Sequence, residues 1–77
     1  MNRDEVISLL MAASLYDDRE PSESLIAAWA EAAHRAGWTH QDAIAAVHEH
    51  YAHNTDRIMP GHITQLIRAE RSRYWEQ

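Results

Sequence analysis

Three histidines and a glutamate lie between residues 48 and 53, in the stretch AVHEHYAHN from Ala46 to Asn54, and side chains of these types can hold a divalent metal. In the zinc-protease pattern H-E-x-x-H, two histidines four apart rise on one helical face with the glutamate beside them as general base. Here His48 and Glu49 begin the pattern, but position 52 is Ala52 and the third histidine, His53, comes one step late. At about 100° per residue on a helix, His48 and His53 point roughly 140° apart, and His48 and His50 roughly 200° apart. Only His50 and His53 share a face. They read as an exposed pair that, even with Glu49, falls short of the three or four protein ligands of a zinc site. The chain has no cysteine to complete a set, so no metal ligand and no cofactor is assigned.

Other catalytic patterns are equally poor. The serines at positions 8, 14, 22, 24 and 72 have no G-x-S-x-G context, and two separated glycines do not make a phosphate-cradling loop. Asp17 and Asp18 are expected in a loop, where solvation is a simpler reading than acid–base work. His34 and His62 are read as exposed or partly packed rather than as bases. No catalytic residue is assigned, and a non-enzymatic role is expected.

At 77 residues the chain is read as one domain, with a core that buries only about 60% of the surface exposed in the unfolded chain. Without disulfides or thiolate-bound metal, stability must come from regular helix packing, and self-association is left open. No apolar run approaches the ~18 residues of a membrane span, and MNRDEVISLL lacks the layout of a secretion signal, so a cytoplasmic protein is expected. Charge is unevenly placed. Met1 to Asp56 carries ten acidic residues against Arg3, Arg19 and Arg35, whereas Arg57 to Gln77 carries four arginines against two glutamates. The net charge of -5 opposes non-specific duplex binding, which is driven by cations displacing counterions from phosphates.

The elements expected to carry these residues are four helices and no strand, a compact all-α four-helix domain with short loops. The periodicity places them at about 3–15, 22–36, 40–53 and 60–74. Asn2 caps the first, with Asp4 and Glu5 in its first turn and Val6, Leu10 and Ala13 as its buried stripe, widened by Ile7 and Leu9. Pro21 breaks the pattern. The second presents Leu25, Trp29, Ala32 and Ala36, and Gly37 stops it in a left-handed conformation. Thr39 caps the third, with Asp42 completing a capping-box-like pair, and Trp38 between them packs back on Ala33 and forward on Ala43. The third helix presents Ile44, Val47 and Tyr51, which leaves His50 and His53 off its stripe. Pro60 opens the fourth, whose Ile63, Leu66, Ile67 and Tyr74 lie on one side. Arg68, Arg71 and Arg73 fall in its last turns, where cations also complement the helix dipole. The second and third helices are close enough for a helix-turn-helix. The recognition helix would then be His40 to His53, which has Asp42 and Glu49 but no arginine or lysine to read guanine or anchor phosphate.

The run AWAEAAHRAGWTHQDAIAAVHEHYAHNTDRIMPGHITQLIRAERSR resembles the small helical phage proteins of the loader-and-inhibitor family for replicative hexameric helicases. The features that carry the resemblance are an aromatic near the middle of one helix (Trp29), a helix of the type DAIAAVHEHY, and the segment TDRIMPGHITQLIR, whose proline opens a last helix. The likeness covers about residues 4–73. It implies an all-helical domain that binds the replicative helicase, holds it inactive and helps deliver it to an origin complex, in the host cytoplasm if phage-encoded. Members can carry a flexible C-terminal extension that contacts the helicase. Here either the basic end from Arg68 to Trp75 takes that role, or the scaffold serves a different protein partner. Together with the charge asymmetry, the resemblance makes Arg68, Arg71, Arg73, Tyr74 and Trp75 the expected partner contacts, since arginine and aromatics dominate binding hot spots. Trp75 either belongs to that surface or folds back over the first helix as a lid.

Overall fold

Capping chemistry defines the helix ends. The computed structural model describes the backbone of residues 1–75 and side chains through Ser72. Helix α1 spans Arg3–Asp17 and opens on a reciprocal capping box: the Asn2 side chain accepts from the Glu5 N–H at 2.8 Å, and the Glu5 carboxylate accepts from the Asn2 N–H at 3.0 Å. It runs two residues past the expected Leu15 and ends at Asp18, whose φ of 63° is a left-handed conformation that aspartate tolerates better than most residues. Helix α2 spans Glu23–Ala36 behind a Ser22 cap. Gly37 follows at φ 69°, with open space where a side chain would sit, so backbone conformation alone calls for glycine. The Trp38 N–H closes back on the Ala33 carbonyl at 3.1 Å, the longer hydrogen bond of a Schellman motif.

Helix α3 spans His40–His53 with Thr39 accepting from the Asp42 N–H, and α4 spans Pro60–Trp75. At the start of α4 the Met59 carbonyl accepts from the N–H of His62 and of Ile63, and the His62 ring returns the favour by accepting the Met59 N–H through Nδ1 at 2.9 Å. Histidine thus fills the place that glutamate holds in α1.

The architecture is all-α, four helices with no strand among the described residues. Each helix packs on two others, in the closed order α1–α2–α4–α3. Ser8 meets His40 and Tyr16 meets His48, so α1 and α3 lie side by side in the same direction. Asp42 faces Arg71 and His50 faces His62, so α3 and α4 are antiparallel. The Cα radius of gyration of 12.1 Å is close to the ~11.5 Å that compact chains of this length show.

Val6, Leu9 and Leu10 of α1, Trp29 of α2, Val47 of α3 and Ile63 of α4 fill the centre, with Ile58 inserted from the α3–α4 loop. Trp38 is buried edge-on to Trp29, and its indole N–H donates to the Thr64 hydroxyl at 3.0 Å, tying the α2–α3 turn to α4. Two stripes are rotated from expectation. In α2, Ile26 and Ala33 lie deeper than Leu25, Ala32 and Ala36, which are half-buried. In α3 the deep residues are Ala43, Ala46, Val47 and His50, while Ile44 and Tyr51 are half-buried. Because α3 packs on both α1 and α4, its buried face is centred between them on Ala43, Ala46, Val47 and His50, and Ile44 and Tyr51 fall to the flank.

Candidate docking surface

The expected partner contacts begin on the outer side of α4. Arg68 and Arg71 are exposed; Arg68 makes no ion pair among the described residues, and Arg71 Nη2 lies 3.9 Å from Asp42 Oδ2 across the α3–α4 seam. Arg73, Tyr74 and Trp75 belong to the same helix, but their side chains, and with them the choice between a docking surface and a lid, lie outside the described residues.

Beside Arg71 a groove of about 360 Å³ runs between α3 and α4. Asp42, Ala45, Ala46 and Glu49 form one wall, and Leu66, Ile67, Ala69, Glu70 and Arg71 the other. The α3 residues stand at i, i+3, i+4 and i+7, one face of a helix. Sequence reasoning passed over this face because its apolar members are only alanines, although the spacing D-x-x-A-A-x-x-E is itself the signal.

Behind the opposite end of α3 sits a buried polar network that the sequence reading missed. Asp17, expected to be solvated in a loop, is instead the last residue of α1 and is gripped by Arg19. Arg19 Nε donates to Asp17 Oδ1 at 2.9 Å and Nη2 to Oδ2 at 2.6 Å, with side-chain exposures of 2% for the arginine and 8% for the aspartate. The same Nη2 donates to the Ile58 carbonyl at 2.6 Å, and the guanidinium lies over the Trp29 ring at 5.0 Å. The Tyr51 hydroxyl donates to Asp17 Oδ2 at 2.5 Å while accepting the Ile58 N–H at 2.9 Å. No buried side-chain polar atom among the described residues lacks a partner. Burial alone would raise the Asp17 carboxyl, but the hydrogen bonds from Arg19 and Tyr51 outweigh it and hold the group below the usual carboxylate range. Burial, reinforced by the Asp17 carboxylate, pushes the Tyr51 phenol up.

His50 corrects the sequence reading as well. It is buried, its Nε2–H donating to the Asp56 carbonyl at 2.7 Å, and its ring lies 4.7 Å from that of His62. The loop after α3 folds back under the helix and covers this face, which helical spacing alone does not reveal. His53 remains exposed and pairs with Glu49 at 3.1 Å. The structure therefore separates the two histidines expected to share a surface. No group of three or more metal-binding side chains forms among the described residues. Exhaustive chelation is expected to leave the circular dichroism spectrum and melting temperature unchanged; one ion per chain that survives dialysis and disappears in His53→Ala would overturn that expectation.

The α3–α4 loop is thus held by Arg19, His50, Tyr51 and His62, each bonded to its backbone. It presents Met59, half-exposed, to solvent. A second apolar patch lies on α1, where Met11 and Leu15, the latter 80% exposed, stand one turn apart near Tyr16. The Tyr16 ring stacks on Tyr51 at 4.7 Å, and its hydroxyl is hydrogen-bonded to His48 Nδ1 at 2.7 Å. No helix of the described residues is long and apolar enough to cross a membrane. Compared with known proteins, the chain matches no family model, no curated protein and no solved structure at a significant level.

Proposed function

We propose that the protein is a non-enzymatic replication accessory factor that binds a replicative hexameric helicase, as a loader or inhibitor, in the cytoplasm, through the outer side of α4. The observation that carries this reading is the pair of exposed cations Arg68 and Arg71 on the helix that ends an otherwise acidic chain. The acidic body disfavours direct binding to DNA, while arginines on one helix suit an acidic protein surface. The loss of Arg71 to docking costs little, because its 3.9 Å approach to Asp42 joins two half-exposed groups. The partner's identity comes from the resemblance carried by Trp29, DAIAAVHEHY and TDRIMPGHITQLIR.

The alternative, a protein-interaction module with a different partner, is favoured by the exposed Met11, Leu15 and Met59, which the α4 contact does not use. Direct duplex reading fits less well, since the exposed residues of α3 include Asp42 and Glu49 and no arginine or lysine. The test is a binding titration against the cognate helicase, comparing wild type with the double variant Arg68→Glu, Arg71→Glu and with Trp75→Ala. Affinity is expected to fall by tenfold or more, at least about 1.4 kcal/mol, in the double variant with its helical spectrum intact. Absence of wild-type binding would discard the helicase and leave the interaction module.

A further inference from the structure

We infer that the α3–α4 groove is a docking slot for a basic amphipathic helical segment of a partner protein. This goes beyond the helicase reading, which rests on the exposed arginines of α4, of which Arg71 also borders the groove. Two features of the groove define its occupant. Its floor is apolar and low: Ala46, Leu66 and Ile67 lie at the bottom, and the exposed Ala45 and Ala69 keep the walls shallow, so a third helix can lay one large apolar side chain between α3 and α4. Among the described residues its rim carries the carboxylates of Asp42, Glu49 and Glu70 and the cation Arg71, which stands at the Asp42 end, while Glu49 also pairs with His53 outside the groove. Lysines or arginines on either side of the apolar anchor therefore meet charge of opposite sign, whereas an acidic helix meets repulsion.

The same balance selects among occupants. A second copy of this chain would bring another net-negative body against a negative rim unless it approached through its basic α4. Nucleic acid and anionic lipid are disfavoured for the same reason.

The probe is a synthetic helical peptide with a leucine face and lysines elsewhere, titrated into the isotopically labelled full chain and followed by amide chemical shifts. Saturable shifts are expected at Ala45, Ala46, Glu49 and Ala69. The matched leucine–glutamate peptide should bind at least about tenfold more weakly. Ala45→Leu, a helix-compatible change that fills the slot, and Glu49→Lys, which inverts the rim, should each weaken the lysine peptide by about tenfold with the melting temperature maintained. Leu15→Ala, away from the groove, should leave binding unchanged. Equal affinity for both peptides, shifts centred on Met11 and Leu15, or indifference to Ala45→Leu would each overturn the assignment. So would a peptide-free dimer, detected by sedimentation, that buries the same amides. A protein that binds the peptide but no helicase keeps this slot and loses the helicase; one that binds helicase but not the peptide loses only the slot.

Discussion

Replacing Asp17 with asparagine is expected to lower the unfolding free energy by about 3–5 kcal/mol, the usual consequence of removing one member of a buried ion pair. The size follows from what is left behind. Arg19 would keep its charge at 2% side-chain exposure, with the Ile58 carbonyl, the Trp29 face and one neutral amide oxygen in place of the carboxylate. The cost is that of a stranded charge, not the net worth of the pair, since a well-packed apolar substitute for both partners can be neutral. A milder variant grades the effect. Tyr51→Phe removes one donor to Asp17 and the acceptor of the Ile58 N–H, and should cost about 1–3 kcal/mol.

The pH dependence provides a separate check. The Asp17 carboxyl titrates lower in the folded protein than in the unfolded chain, so its stabilisation is complete above the ordinary aspartate value of about 3.9 and is lost as pH falls through the lower, folded value. The difference between wild type and Asp17→Asn, measured by urea denaturation, should therefore be constant near neutrality and shrink in acid below about pH 4. Tyr51 acts at the other end. Its raised phenol stabilises the fold below the ordinary tyrosine value near 10, and that contribution disappears as pH rises through the folded value. A gap of constant size from neutrality into strong acid would show that Asp17 is not held as an ion.

Why this network escaped the sequence reading, when the helices did not, has a physical explanation. Helix ends are local events: Asn2, Ser22 and Thr39 act on an N–H three residues away, Gly37 on its own φ, and Pro60 on its own missing N–H. Each leaves its signature within a few positions. The partners of Arg19, by contrast, are drawn from α1, α2 and the loop after α3, with Ile58 39 positions away. Within YDDREPS nothing distinguishes Asp17, whose side chain is 8% exposed, from the exposed Asp18 until that loop is in place. His50 was misplaced for the same reason, because its cover is the returning backbone at Asp56. The groove was more legible. Its α3 wall is a regular helical face, and only the weak hydropathy of alanine concealed it.

Trp29→Ala is expected to cost about 3–5 kcal/mol, since an indole of that size cannot be removed from a packed core without leaving a cavity. Trp29 is 1% exposed and meets the edge of Trp38 on one side and the Arg19 guanidinium on another. Domains are stable by about 5–15 kcal/mol in total, so the substitution removes a large share of the whole. At about 4–8 °C per kcal/mol for a chain of this size, the melting temperature should drop by roughly 12–40 °C. An unchanged melting temperature would refute the placement of Trp29 at the centre of the core. Trp29→Phe separates the two roles of the ring, because it gives up volume but keeps an aromatic face for the arginine. If the apolar core and the Arg19 network are one cooperative unit, Trp29→Ala and Asp17→Asn combined should depart from additivity by more than about 0.5 kcal/mol, the margin within which independent sites add, whereas Trp29→Phe should couple more weakly. Additive losses in both double variants would instead mean that Arg19 rests on Trp29 without drawing stability from it, and that the loop carrying Ile58 is held by its hydrogen bonds alone.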